Sequence, residues 1–195
     1  MNLPQPPSLL AQMDVEAGRL EGVTPVERRL SQLRGAFADL AAYETLLARE
    51  DPVVYRVSTL EPAAGPGQLA CGLAVLMPGR VGLEYYLTRG HFHARREVAE
   101  FYFGLQGEGA LLLEHETTGQ SVLQPLCAGS VVYVPGHTAH RTMNTGGVPL
   151  VYLGVYPADA GHDYNALEAR NFAMVLVDRG GRPALLDRSE FLRTR

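Results

Sequence analysis

From Pro52 onward the chain is written in short β-branched and aromatic runs cut by glycine and proline, and this rhythm restricts the fold more than any other feature. VVYRVSTL, LACGLAVLM, GLEYYLT, AEFYFGL, GALLLEHE, SVVYVP, VPLVYLGVYP and FAMVLVD follow one another. Turn signals at Pro78-Gly79, Gly107-Glu108-Gly109, Thr118-Gly119, Gly146-Gly147 and Gly180-Gly181 lie between the runs. The series predicts an antiparallel β-sandwich or barrel. Ahead of it, residues 24 to 48 read as a helix. Thr24 and Glu27 form a capping box, Pro25 takes the first helical position, and Leu30, Leu33, Phe37, Leu40 and Leu47 keep helical spacing, with Gly35 as a weak point. The expected organisation is an N-terminal arm and helix (1–51), a barrel (52–180) and a C-terminal tail (181–195), with the LPQPP start extended or frayed.

Composition narrows the chemistry. At 195 residues the chain suits one domain. No uncharged apolar run approaches the roughly 18 residues that span a bilayer, and the N-terminus has no basic start followed by an apolar stretch, so no membrane partner and a cytoplasmic location are expected. Cys71 and Cys127 stand far apart in no redox or metal motif and are expected to be buried free thiols. All 17 basic residues are arginines. A lysine-free chain can form neither a lysine Schiff base nor a P-loop. A net charge of -4 without a basic tract makes nucleic acid a poor partner, so any bound phosphate must be held by local donors.

The most informative segment is Thr88-Arg89-Gly90-His91-Phe92-His93. In extended backbone, residues two apart share a face, so His91 and His93 can offer two imidazoles to one ion while Phe92 packs behind them. Alone, an HxH pair is more often two ordinary histidines. Glu100 follows seven residues after His93, an odd offset that demands a turn near residues 94–96 and predicts a hairpin. The stretch GSVVYVP (129–135) leads to His140, with Asn144 four residues on, and supplies a third imidazole from a separate strand. Three nitrogens and a carboxylate oxygen suit iron, manganese, nickel, cobalt or zinc as a divalent ion. His137 is read as a loop residue.

These blocks resemble the paired motifs of the cupin superfamily, with a longer gap from HxH to Glu than many cupins have and PGHTAH in the second block. Four segments, TRGHFHARREVAEFY, GSVVYVPGHTAHRTMNTG, YPADAGHDY and DPVVYRV, are similar to those of the cupin-type glucose-6-phosphate isomerases, and with RRLSQLRGAFAD and PGRVG the likeness covers about residues 15 to 180. The resemblance implies an all-β cupin double-stranded β-helix, or jelly-roll barrel, with an N-terminal helical or extended arm. It implies one divalent metal per subunit, Fe2+ first among the candidates, held by His91, His93, Glu100 and His140. It further implies a sugar-phosphate substrate touched by Tyr55, Thr88, Gly90, Glu100, Tyr102, Tyr156, His162 and Tyr164, and a homodimer. One feature departs from the pattern: Ala74 stands where family members tend to carry a threonine, which removes a hydroxyl donor from the phosphate end. Arg89 or Arg95 are candidates to replace it, beside the reading of both as solvated charges.

The implied reaction moves a carbonyl between C1 and C2 of glucose 6-phosphate and fructose 6-phosphate. A proton must leave one carbon and return to its neighbour through a cis-enediolate, with Glu100 as the shuttling base and the metal polarising O1 and O2; a hydride shift would use the same residues. His162 and Tyr102 are candidates for ring opening. The alternatives are a metal-dependent dioxygenase, which the tyrosines and GHDY disfavour, and a non-catalytic sugar-phosphate-binding cupin, which would not need an intact ligand set.

Overall fold

The computed structural model describes residues 10–168 and 170–194, so the proline-rich start at residues 3–7 lies outside it. Along the chain come β1 (Met13–Asp14), β2 (Arg19–Leu20), β3 (Val26–Arg29), a 3-10 turn (Leu30–Leu33), α1 (Leu40–Leu47), β4 (Val53–Leu60), β5 (Leu69–Leu76), β6 (Arg80–Val81) and β7 (Glu84–Tyr85). There follow β8 (Glu100–Gln106), β9 (Glu108–His115), β10 (Ser121–Cys127), β11 (Val131–Val134), β12 (Thr138–Asn144), β13 (Leu150–Pro157), α2 (Asn165–Glu168), β14 (Met174–Asp178), β15 (Pro183–Asp187) and α3 (Arg188–Arg193). The large sheet runs β11-β8-β13-β5-β4-β3, all antiparallel; the opposing sheet is β10-β9-β12. Residues 86–92 add a ragged strand beside β12, through the bridges Leu87↔Met143 and His91↔His140. The two walls enclose one apolar core containing Leu76, Leu111, Leu126, Met143, Leu150 and Phe92. This is an all-β cupin barrel.

Alternation sets the inner wall. Thr59, Gly72, Gly154 and Tyr102 are cross-strand partners on one rung, and Val57, Ala74, Tyr152 and Gly104 on the next. Large and small side chains therefore meet in a checkerboard, and the small positions leave a hollow between the walls. The hairpin β1-β2 covers part of the outer face, where Leu20 packs on Leu73, Val75 and Val151.

The long helix expected over residues 24–48 does not form. Val26–Arg29 instead joins the edge of the large sheet against β4, the 3-10 turn follows, and Gly35 at φ +81° breaks the direction. Only Leu40–Leu47 is α-helical, capped by the Asp39 carboxylate, which accepts from Ala42 N–H at 2.9 Å. An open β4 edge offers Val26–Arg29 backbone partners that an isolated helical turn cannot match. The GLEYYLT run yields only the short β7 and one bridge. The two thiols are free as expected but not buried: Cys71 is half-buried on the outer face of β5, and Cys127 is exposed at the end of β10, its Sγ 3.3 Å from Ser130 Oγ.

Candidate active site

His91 sits on the ragged strand beside β12, and its backbone N–H donates to the His140 carbonyl at 3.3 Å, which fixes these two imidazoles opposite each other. Phe92, 1% exposed, points into the core behind them, as the alternation requires. After His93 the chain turns, Val98 N–H donating to the Arg95 carbonyl at 3.2 Å, and Glu100 opens β8. The expected turn is present, but its two arms do not pair as a hairpin: His91 pairs with β12, and β8 pairs with β11 and β13, so the turn links the two walls.

One nitrogen each of His91, His93 and His140 and one oxygen of Glu100 lie within 4.8 Å of one another. His140 Nε2 is 3.1 Å from His91 Nε2 and 2.7 Å from Glu100 Oε1, and His93 Nε2 is 3.6 Å from the same oxygen. The far nitrogens face acceptors: His93 Nδ1 meets the Val98 carbonyl at 3.2 Å, and His140 Nδ1 meets the Thr138 carbonyl at 3.3 Å. Protons belong on those nitrogens, which leaves bare lone pairs on both Nε2 atoms. Glu100 Oε1 is buried and lacks a well-aligned hydrogen bond despite its 2.7 Å neighbour. Several lone pairs converging without protons repel one another unless a cation sits among them, and the carbonyls that orient the imidazoles are the usual outer support of metal-binding histidines. The donor set fits a first-row divalent ion.

Electrostatics agree. Burial, followed by the charges of His140, His162 and His93, holds His91 well below the ordinary histidine range, and burial likewise lowers His93. Burial acts to raise the Glu100 carboxyl, but the imidazoles of His140 and His93 packed against it hold it below its usual value. The carboxylate is therefore ionised at neutral pH.

A hollow of about 1000 Å³, open mouth included, runs from this cluster across the large sheet. It is lined by Tyr55, Thr88, Gly90, His91, Glu100, Tyr102, His140, Tyr156, His162 and Tyr164, so every metal-ligand and substrate-contact candidate from the sequence faces it except His93, which backs the cluster. Tyr102 is hydrogen-bonded to Glu100, and burial followed by that carboxylate pushes its phenol well above the ordinary value, so it stays a donor. Tyr156, hydrogen-bonded to Thr59, is pushed up to about 12 by burial. His162 stands at the rim, exposed on one side and 4.4 Å from the His91 ring on the other, and it stacks on Tyr164 at 5.8 Å with 6° between planes. Loss of water on the crowded side lowers its pKa. Thr88 Oγ1 accepts from Thr142 N–H at 3.1 Å, leaving its own proton free for a ligand.

Gly90 has φ +76°, and a Cβ there would lie 2.7 Å from Phe172. Both backbone and packing thus demand glycine. Arg141, beside His140, donates to the Arg89 carbonyl at 2.6 Å and to the Ala36 carbonyl at 3.2 Å, locking the 88–90 turn; burial lowers its pKa to about 9. His137 is a turn residue at φ +58° near Glu116, outside the cluster. Arg95 is engaged by Glu97 and Asp159 and does not line the hollow, whereas Arg89 lines it, paired with Glu168 at 2.6 Å. Sequence reasoning missed Tyr152 and Arg28, which also line it. Tyr152 was within reach, being four residues before Tyr156 on one strand and so on the same face.

A double-walled β-barrel with three imidazoles and a carboxylate at its mouth defines a cupin-type protein able to hold a metal ion. The family model for glucose-6-phosphate isomerase (GPI) matches residues 27–188. The chain is 46% identical over 176 residues to a glucose-6-phosphate isomerase of Thermococcus gammatolerans, covering 90% of this chain and 92% of that one. The enzymes of the same name from Pyrococcus horikoshii and Pyrococcus furiosus are 43% and 41% identical, covering 90% of this chain and 93% of theirs in both cases. The chain belongs to the glucose-6-phosphate isomerase family.

Proposed function

We propose that this enzyme interconverts glucose 6-phosphate and fructose 6-phosphate, with His91, His93, Glu100 and His140 as ligands of one divalent ion per chain, Fe2+ foremost. The observation that carries the reading is an ionised, buried carboxylate among bare imidazole nitrogens, opening into a hydroxyl-rich hollow, in a chain whose family performs this reaction. When bound, the ion would polarise the carbonyl and stabilise the developing enediolate charge. Glu100 takes the proton from one carbon and returns it to the other; ionised and within reach of Tyr102, it is kept in place by that phenol's hydrogen bond. Tyr156 and Thr88 hold sugar hydroxyls, and the rim pair His162 and Tyr164 faces the opened ring, where neutral His162 can accept the hydroxyl proton in ring opening. The phenols of Tyr55, Tyr102, Tyr152 and Tyr156 and the hydroxyl of Thr88 around the hollow favour a polyhydroxylated substrate over the dioxygenase reading.

The test is a coupled assay of fructose 6-phosphate conversion on chelator-treated protein with single metals added back. Activity that vanishes on chelation and returns with one ion supports the assignment; full activity without metal rejects it. No described helix is long and apolar enough to cross a membrane, and a cytoplasmic site of action is in keeping with free thiols and a phosphorylated substrate. A homodimer is the assembly that would cover the apolar strip on the outer face of β8 and β11, where Val131 is 61%, Tyr133 55% and Phe101 44% exposed. Tyr133→Glu is expected to yield monomers by sedimentation.

A further inference from the structure

The phosphate of a hexose phosphate carries close to two negative charges, and burying it against neutral hydroxyls alone is costly. The arginines near the hollow differ in what they have left to offer. Arg141 is buried, gives both terminal nitrogens to backbone carbonyls and does not line the hollow, although its Nε has no partner. Arg95 is bound by Glu97 and Asp159 outside the hollow. Arg89 reaches the rim but is paired with Glu168 and lies over the Tyr164 ring at 4.8 Å.

Arg28 is the exception. It is half-buried, lines the hollow, and makes one side-chain hydrogen bond, Nη1 to the Glu27 carbonyl at 3.2 Å; among the described residues no carboxylate is paired with it. Glu27 gives its own carboxylate to Arg29 instead, at 3.7 Å. Arg28 is the cross-strand partner of Tyr55, and β3 is four strand steps from β8, which puts it across the sheet from Glu100. The Tyr55 hydroxyl is tied to the Arg89 backbone N–H, so β4, the strand paired with the edge strand β3, meets the 88–90 turn at this end. Tyr55 and Tyr164 line the same hollow as Arg28. The neighbouring wall, Val26, Val57 and Ala74, has no side-chain donor.

Resting on the isomerase reading, we propose that Arg28 is the residue that selects for a phosphorylated sugar: its guanidinium takes the phosphate oxygens at the end of the hollow opposite Glu100. The isomerisation itself does not involve it, so its effect falls on binding.

Two measurements separate the inference from the reading beneath it. In steady-state kinetics, Arg28→Gln is expected to raise KM for fructose 6-phosphate roughly 10- to 100-fold, the size of one charge-assisted contact, with kcat within about threefold and Arg28→Lys in between. Calorimetric titration with inorganic phosphate, which needs no turnover, is expected to show weakening by a similar factor in Arg28→Gln and none in Arg29→Gln, a change on the neighbouring exposed residue. An Arg28→Gln protein of unchanged melting temperature, KM and phosphate affinity overturns the inference and leaves the isomerase assignment standing. Arg28→Met, which keeps much of the bulk and removes the charge, decides the matter in the same way if the glutamine variant does not fold. Wild-type protein that binds phosphate through Arg28 but never isomerises the sugar overturns the isomerase reading.

Discussion

At one end of the hollow, three imidazoles and a carboxylate are assembled by residues of both barrel walls, with His93, Glu100 and His140 no more than 6% exposed. At the other, Arg28, Arg89 and Tyr164 stay half-buried on an edge strand, a turn and a loop. The first end is held firmly because His91 and His140 are pinned by reciprocal backbone hydrogen bonds, and His93 and His140 each have a carbonyl behind the ring. The second depends on chain segments far apart in sequence finding one another. Chemistry that tolerates little displacement is expected at the rigid end, and recognition that tolerates more at the other.

That contrast can be broken by substitution. Glu100→Gln keeps the shape of the rigid end but removes its base; kcat should fall about 10²- to 10⁴-fold with KM changed little, and an equal change in both constants would erase the distinction between the ends. Gly90→Ala strikes the turn that joins them. Its φ of +76° and the Phe172 contact should cost about 1–3 kcal/mol, read as a lower denaturant midpoint. Tyr55→Phe removes only the hydroxyl that holds the Arg89 backbone. Steady-state KM should rise at most about tenfold, the worth of one neutral hydrogen bond, while kcat stays near wild type.

The smallest effect concerns acid stability. Arg96, hydrogen-bonded to Asp163 at 2.5 Å, holds that carboxyl below its ordinary value. A depressed folded pKa contributes stability that is present above the ordinary aspartate value, about 4, and is lost as pH falls through the folded pKa. The melting temperature of wild type should therefore drop more steeply below about pH 4 than that of Arg96→Met, which lacks the pair.

The same contrast decided what could be read from the sequence. The rigid end is encoded locally: HxH alternation puts two imidazoles together, and the Glu100 offset demands the turn that the structure contains. β8, β9 and β13 were visible as apolar runs. β10 was hidden by Pro125 and Gln124, which look like loop residues, and β12 by its polar composition, since TAHRTMN is buried along its whole length only because β9 and residues 86–92 flank it. Arg28 was invisible for a different reason. Helical spacing over residues 24–48 is real, but the open edge of β4 recruits Val26–Arg29 as a strand, and only that pairing brings Arg28 to the hollow. Local patterns do not record which distant edge will compete for a segment.

The central claim is that four side chains from the two walls converge on one cation. Mass-spectrometric metal analysis of purified wild type, His91→Ala and His140→Ala, each loaded with excess metal and desalted, tests it most directly. One equivalent per wild-type chain and far less in both variants, with turnover lost in parallel, is the expected result; variants that keep a full equivalent and their isomerase rate would show that the ion lies elsewhere.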